Sequence, residues 1–190
     1  LRTQVEQGAR VDVFISASED HMKALVDAGK VRGARVLAHN SLCVAVDPAN
    51  RQIRSLKDVA SPGVRLVVAV PTCPVGKYTR KAWDRMKEDA ALGPEFAKAL
   101  QARVVSEETN VKLALAKVTM GEADAAFVYQ TDVVGQKVRK ISLPKSVQVQ
   151  ATYLIGVGAR ASAPAAAEAY VKALLGPTGR SVLKGYGFTF

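Results

Sequence analysis

Three apolar strands separated by amphipathic helices constrain the middle of this chain more than any other feature. Arg65 to Val70 reads as a buried strand, followed by a loop from Pro71 to Val75. The spacing then predicts a helix over 76–91, with Tyr78, Ala82, Trp83 and Met86 on one face. A turn at Gly93-Pro94 precedes one more helical turn holding Phe96 and Leu100, and Arg103 to Val105 reads as a short strand. Thr109 or Asn110 caps a helix through Thr119, whose apolar stripe is Val111, Leu115 and Val118. Gly121 ends it, and Asp124 to Tyr129 is the next buried strand. Strands alternating with helices in this way make βαβ units, a mainly parallel sheet and right-handed crossovers.

The flanks are less regular. Residues 1–8 read as a helix stopped at Gly8, without an N-cap before it. Val11 to Ile15 is a short β-branched strand, and a helix runs from Ser18 or Glu19 to Ala28. Val36 to Ala38 and Ser41 to Val46 read as two strands, the second continuous enough to be buried on both faces. Val147 to Val157 reads as a strand interrupted by Gly156 and Gly158. Pro164 opens a helix through Leu175, Gly176-Pro177-Thr178-Gly179 breaks it, and Arg180 to Lys184 adds a last helical turn.

Composition narrows the class. With 48% apolar and 23% charged residues in 190, the chain is globular rather than disordered. No apolar stretch approaches the roughly 20 residues of a membrane-spanning helix. The net charge of +10 is spread along the chain: +1 over residues 1–46, +6 over 47–150 and +3 over 151–190. There is no basic tail or block, and aromatics make up only 6%, so the pattern argues against a nucleic-acid partner.

Catalytic candidates are few. His21 and His39 are the only histidines, and neither has a nucleophile or metal partner at motif spacing. Cys43 lies in a buried strand. Cys73 precedes a helix start, where thiols are activated, but it has no evident base. A Cys43–Cys73 disulfide is left open. Glu107-Glu108 and Glu122/Asp124 read as structural or solvated carboxylates. The chain is therefore expected to be no enzyme and to need no cofactor or metal.

The informative segment is Pro71-Thr72-Cys73-Pro74-Val75-Gly76-Lys77-Tyr78-Thr79. It lacks the first glycine of a P-loop and the Ser/Thr after its lysine. Its physics is still that of an anion site, because a strand ends and a helix begins with unpaired N–H groups. Thr109-Asn110-Val111 is a second entry of the same kind, and Tyr129 ends the next strand. In an open α/β sheet all three lie at the carboxyl ends of strands, on the crevice side.

At these residues the chain resembles the periplasmic molybdate-binding proteins of ABC transporters, a family of type II periplasmic binding proteins. The stretches that carry the resemblance are Gln4 to Ala17, Asn40-Ser41-Leu42, Pro74-Val75-Gly76-Lys77-Tyr78 and Gly121 to Asp132. The third is similar to the family's Pro-Ala-Gly-x-Tyr ligand loop. The closing segment from Gly176-Pro177 to Tyr186-Gly187-Phe188 also fits. The resemblance implies an α/β, two-lobe fold with mainly parallel sheets flanked by helices. Residues 1–42 and 150–190 would form the first lobe and 43–149 the second, with a hinge near 40–46 and 147–157.

It further implies the extracytoplasmic solute-binding component of an ABC importer, periplasmic or otherwise outside the membrane, with a membrane permease as partner. The ligand would be a tetrahedral oxyanion held between the lobes, molybdate or tungstate before sulfate. Carried over, Val75 and Val111 match the family's backbone-donor positions and Tyr129 its tyrosine. Val75 replaces the more usual alanine, and its extra methyls are expected to reshape the cavity. The family's two serine-bearing segments and first βαβ unit would precede Leu1. The expectation is thus an incomplete first lobe, weak oxyanion affinity, and pairing with another chain through open strand edges. The alternative is the ligand-sensing domain of a transcription regulator with the same fold; an enzyme built on Cys73 ranks below both.

Overall fold

A computed structural model describes all residues, Leu1–Phe190. The chain divides into two compact units, residues 1–40 with 151–190, and residues 41–150. None of its helices is long and apolar enough to cross a membrane.

In the first unit, α1 (Arg2–Glu6), β1 (Val13–Ser16) and α2 (Glu19–Asp27) come first. β2 (Val31–Val46) begins here and ends in the second unit, and β7 (Gln150–Gly158) returns from it. α6 (Pro164–Leu175) and α7 (Pro177–Gly185) follow. β1 pairs antiparallel with β7, from Val13 opposite Val157 to Ser16 opposite Leu154. α1 and α2 cover one core of Val5, Phe14, Met22, Leu25 and Val31. α6 covers another, with Leu37, Ala38, Ile155, Val157, Ala167 and Val171.

The second unit holds the rest of β2, a 3-10 turn (Lys57–Ala60), β3 (Leu66–Ala69), α3 (Pro74–Glu88) and α4 (Gly93–Gln101). β4 (Val104–Glu108), α5 (Val111–Thr119), β5 (Ala125–Tyr129) and β6 (Arg139–Ser142) complete it. Its strands lie in the order β6-β2-β5-β3-β4. β3 is parallel to both β4 and β5, as helical crossovers require. β2 runs antiparallel to β5 and β6, so the sheet is parallel at β4-β3-β5 and mixed beyond.

Period-two alternation sorts the strand residues onto two faces. Leu42, Val44, Val46, Leu66, Val68 and Phe127 pack with Ala82, Trp83 and Met86 of α3 and with Ala97 and Leu100 of α4. Trp83 meets the Phe127 ring edge-on at 6.1 Å. On the other face, Cys43, Ala45, Val67, Ala126 and Val128 pack with Ala114, Leu115 and Val118 of α5. Helices therefore cover both faces, and the strand cores read as unbroken apolar runs for that reason.

Several elements differ from the sequence reading. The two strands expected over 36–38 and 41–46 are one strand of 16 residues, whose Arg32 to Val36 stretch is exposed and carries no burial pattern. Gly156 and Gly158 do not interrupt β7. They let backbone pass close by, since a Cβ on Gly158 would lie 1.8 Å from Val11 O. The expected break at Gly176–Gly179 is the start of α7, with Pro177 in its first turn. α4 is a full nine-residue helix. β4 starts one residue late and runs on to Glu108, with a register shift that skips the exposed Val105. β6 is absent from the sequence reading because Arg139-Lys140-Ile141-Ser142 shows no apolar run.

Candidate functional site

Parallel pairing puts the carboxyl ends of β3, β4 and β5 on one edge of the second unit's sheet. Val70 N–H donates to Glu108 O at 2.9 Å, tying the first two ends together. The antiparallel register sets Leu42, near the unit's start, opposite Tyr129. Gln130 N–H donates to Ser41 O at 2.9 Å. The Gln148 side chain closes that corner like a short strand, accepting from Leu42 N–H at 3.1 Å and donating to Leu42 O at 3.0 Å.

α3 begins at this edge. Pro74 has no N–H, and the first helical bond is Lys77 N–H to Cys73 O at 2.9 Å. No side chain caps the helix, so the N–H groups of Val75 and Gly76 have no intrahelical acceptor. Gly76 lies directly on the end of β3: a Cβ there would be 2.0 Å from Val70 O and 2.5 Å from Ala69 O. Only glycine allows that approach. Val75 is 1% exposed, and its methyls pack into the α3-side core, where they add to packing.

α5 begins beside it. Asn110 Oδ1 accepts from Leu113 N–H at 3.0 Å, and Ala114 N–H reaches Asn110 O at 3.3 Å. The N–H groups of Val111 and Lys112 are left without an intrahelical acceptor. Val111 touches the cores of both faces, which marks it as sitting at the sheet's rim. Tyr129 closes β5, half-buried, with the Tyr78 ring edge-on at 6.2 Å. Its N–H donates to Asp132 Oδ2 at 2.9 Å. Burial pushes the Asp132 carboxyl above the usual range, against the pull of that bond and of Lys112. Val75 and Val111 thus open the helices that follow β3 and β4, and Tyr129 ends β5, all at the carboxyl edge of the three parallel strands.

The remaining sequence candidates lie elsewhere or are already engaged. His21 is exposed in the first turn of α2, its N–H bound to the Ser18 cap at 3.2 Å. His39 joins the Thr189 backbone at 2.7 and 2.9 Å. Both cysteines are free thiols. Burial pushes the Cys43 thiol up to about 12, which leaves it inert, and Cys73 packs against the opposite core. Glu122 and Asp124 serve the other edge of the sheet. Asp124 grips Arg65 at 3.1 and 3.2 Å, and Arg65 donates to Glu122 O at 2.9 Å.

Sequence reasoning missed Arg80, Asp132 and Gln148, which shape this edge without any motif. Asp132 had a local signal, standing three residues after Tyr129, from where a carboxylate can reach back to a backbone N–H as in a capping box. Gln148 had none, since Leu42 is 106 positions away, and Arg80 had none because Ala69 and Glu107 belong to other elements. What the edge offers is four helix N–H groups at the starts of α3 and α5, with Tyr129 at the end of β5.

Comparison with known proteins identifies the family and the fold. The family described as bacterial extracellular solute-binding protein matches residues 1–189. The molybdate-binding protein ModA of Mycobacterium tuberculosis is 35% identical over 192 residues, spanning 99% of this chain and 69% of that protein. ModA of Escherichia coli is 32% identical over 200 residues, spanning 100% and 74%. Among solved structures, a substrate-binding domain assigned to a molybdenum ABC transporter of Clostridium difficile superposes with a TM-score of 0.86. It is 25% identical, with 99% of this chain and 80% of that one covered. With a match from residue 1 to residue 189 and two relatives above 30% identity, the chain belongs to the bacterial extracellular solute-binding protein family.

Proposed function

We propose that this chain captures a tetrahedral oxyanion, molybdate first and tungstate alongside it, outside the cytoplasmic membrane. It then delivers the anion to the permease of an ABC importer. The observation that carries this reading is the meeting of two helix N-termini and Tyr129 on one sheet edge. It occurs in a chain 35% identical to a protein named for molybdate binding. In the proposed site Val75 and Val111 donate through the backbone, with Gly76 and Lys112 beside them, and Tyr129 donates its hydroxyl.

The chemistry of that donor set selects among anions. N–H and O–H groups suit a fully deprotonated dianion. Hydrogen phosphate would present a proton with no acceptor, at a cost of about 1–3 kcal/mol. Each bond to the anion is charge-assisted and about twice as strong as a neutral one. Neither a lysine nor an arginine need touch the ligand, so the charge of +10 serves at most to draw anions in. The regulator-domain alternative draws no support from the relatives.

Isothermal titration of the chain with molybdate, tungstate, sulfate and phosphate at pH 7.5 tests the reading. Molybdate and tungstate should bind alike, with Kd near the micromolar range, about −8 kcal/mol. Sulfate, also a fully deprotonated dianion, meets the same donors and serves as the size control, whereas phosphate should be weaker by about tenfold or more, the 1–3 kcal/mol of its unmet proton. Phosphate binding as tight as molybdate would overturn the donor-only site, and silence with all four anions would overturn the oxyanion function.

A further inference from the structure

Arg80 lies one helical turn beyond Gly76, on the same face of α3, and its guanidinium reaches back to the sheet edge. Nη1 donates to Ala69 O, at the end of β3, at 2.5 Å, and more weakly to Gly76 O at 3.4 Å. Nη2 pairs with Glu107 near the end of β4. The guanidinium carbon stands 5.2 Å over the Trp83 ring. One planar group thus joins β3, β4 and the first turn of α3. The same turn rests on β3 through Gly76, where no side chain fits.

From this geometry we infer that Arg80 is the positioning residue of the oxyanion site: it clamps the start of α3 to the sheet and so aims the Val75 and Gly76 N–H groups. The inference rests on the oxyanion reading above. Arg80 is not a ligand in this role, because its charge is met by Glu107 and its Nη1 and Nη2 groups are held on Ala69 O, Gly76 O and Glu107. That pairing also keeps an uncompensated cation away from a site that selects through dipoles. General stability does not require the clamp. Ala82, Trp83 and Met86 already anchor α3 in the core, and an ion pair 24% and 44% exposed contributes little. Lysine cannot replace it, since a point charge cannot bridge two strand ends as a planar fork does.

The test compares the wild-type chain with Arg80→Met and Arg80→Lys by titration with sodium molybdate at low and high salt. Both variants should lose about tenfold in affinity, the usual scale for removing a group that orients a ligand contact. Their melting midpoints should stay within about 2 °C of wild type. Wild-type affinity in Arg80→Met would overturn the inference. Full rescue by Arg80→Lys that disappears at high salt would also overturn it, showing that charge alone matters. Hydrogen exchange of the ligand-free proteins reads the clamp separately. The Lys77 amide, bonded to Cys73 O at 2.9 Å, should exchange about tenfold faster in Arg80→Met, while Val118 deep in α5 stays unchanged. Equal Lys77 rates would overturn the clamp even if molybdate binds. If the wild-type chain takes no molybdate, the oxyanion reading fails and the exchange rates alone judge the clamp.

Discussion

At the residue scale, Tyr129 and Asp132 do different work within four positions of one another. Tyr129 is the one side-chain donor in the proposed site, and its backbone is held by the Asp132 carboxylate. Tyr129→Phe keeps the ring that packs on Tyr78 and removes only the hydroxyl. It should weaken molybdate binding tenfold or more, since a hydrogen bond to a charged partner contributes about 1.5–3 kcal/mol. An unchanged Kd on titration would remove Tyr129 from the site. Asp132 predicts a pH effect with a definite sign. Burial raises its folded pKa, so its contribution to stability is full below the ordinary carboxylate range. That contribution is lost as pH rises through the raised value. Asp12 works the other way: the hydroxyl and backbone N–H of Ser162 hold its carboxyl down, and its contribution is lost as pH falls. Asp132→Asn can still accept from Tyr129 N–H. Urea unfolding across acidic to neutral pH should show wild type losing stability relative to this variant as pH rises. A constant difference, or one of opposite slope, would contradict the assignment.

At the element scale, the two helix starts are built differently. α5 is capped by Asn110, whose side chain holds the Leu113 N–H, whereas α3 has no side-chain cap and leans on Gly76 and Arg80 instead. Asn110→Ala should cost about 1 kcal/mol of stability in urea titrations and loosen the Val111 and Lys112 donors. A loss below about 0.3 kcal/mol would mean the cap contributes little here. The core elements β3, α3, α5 and β5 were legible because each shows its apolar period clearly. β6 was not, because a charged edge strand is assembled by pairing with β2 from 43 to 46 and not by its own burial. The exposed stretch of β2, Arg32 to Val36, shows no burial pattern either.

At the scale of the whole molecule, the second unit is one continuous stretch of chain whose ends meet. Leu42 N–H donates to Val149 O at 3.3 Å, the Gln148 amide pairs with Leu42, and Gln150 donates to Ser41 Oγ at 3.2 Å. The first unit is made of two stretches separated by more than a hundred residues. Adjacent ends and a core of its own are what an independently folding domain needs. A fragment of residues 41–150 should therefore fold alone, with cooperative thermal unfolding and dispersed amide NMR signals. A fragment without dispersion would show that its core depends on the rest of the chain.

The sequence by itself determined the α/β class, the positions of the buried strands and the two strand-to-helix entries. These follow from local periodicity, turn residues and helix-start chemistry, all encoded within a few residues. The entries that hold Val75 and Val111 and the strand end at Tyr129 could be located on that basis, and the family resemblance picked these residues out within them. Only the tertiary structure decided what holds them. Arg80 gains its meaning from Ala69 and Glu107, and Gln148 from Leu42, 106 positions away. Side-chain bonds between residues so far apart leave no periodic trace. They exist only once the strands have paired and brought their partners within hydrogen-bond reach.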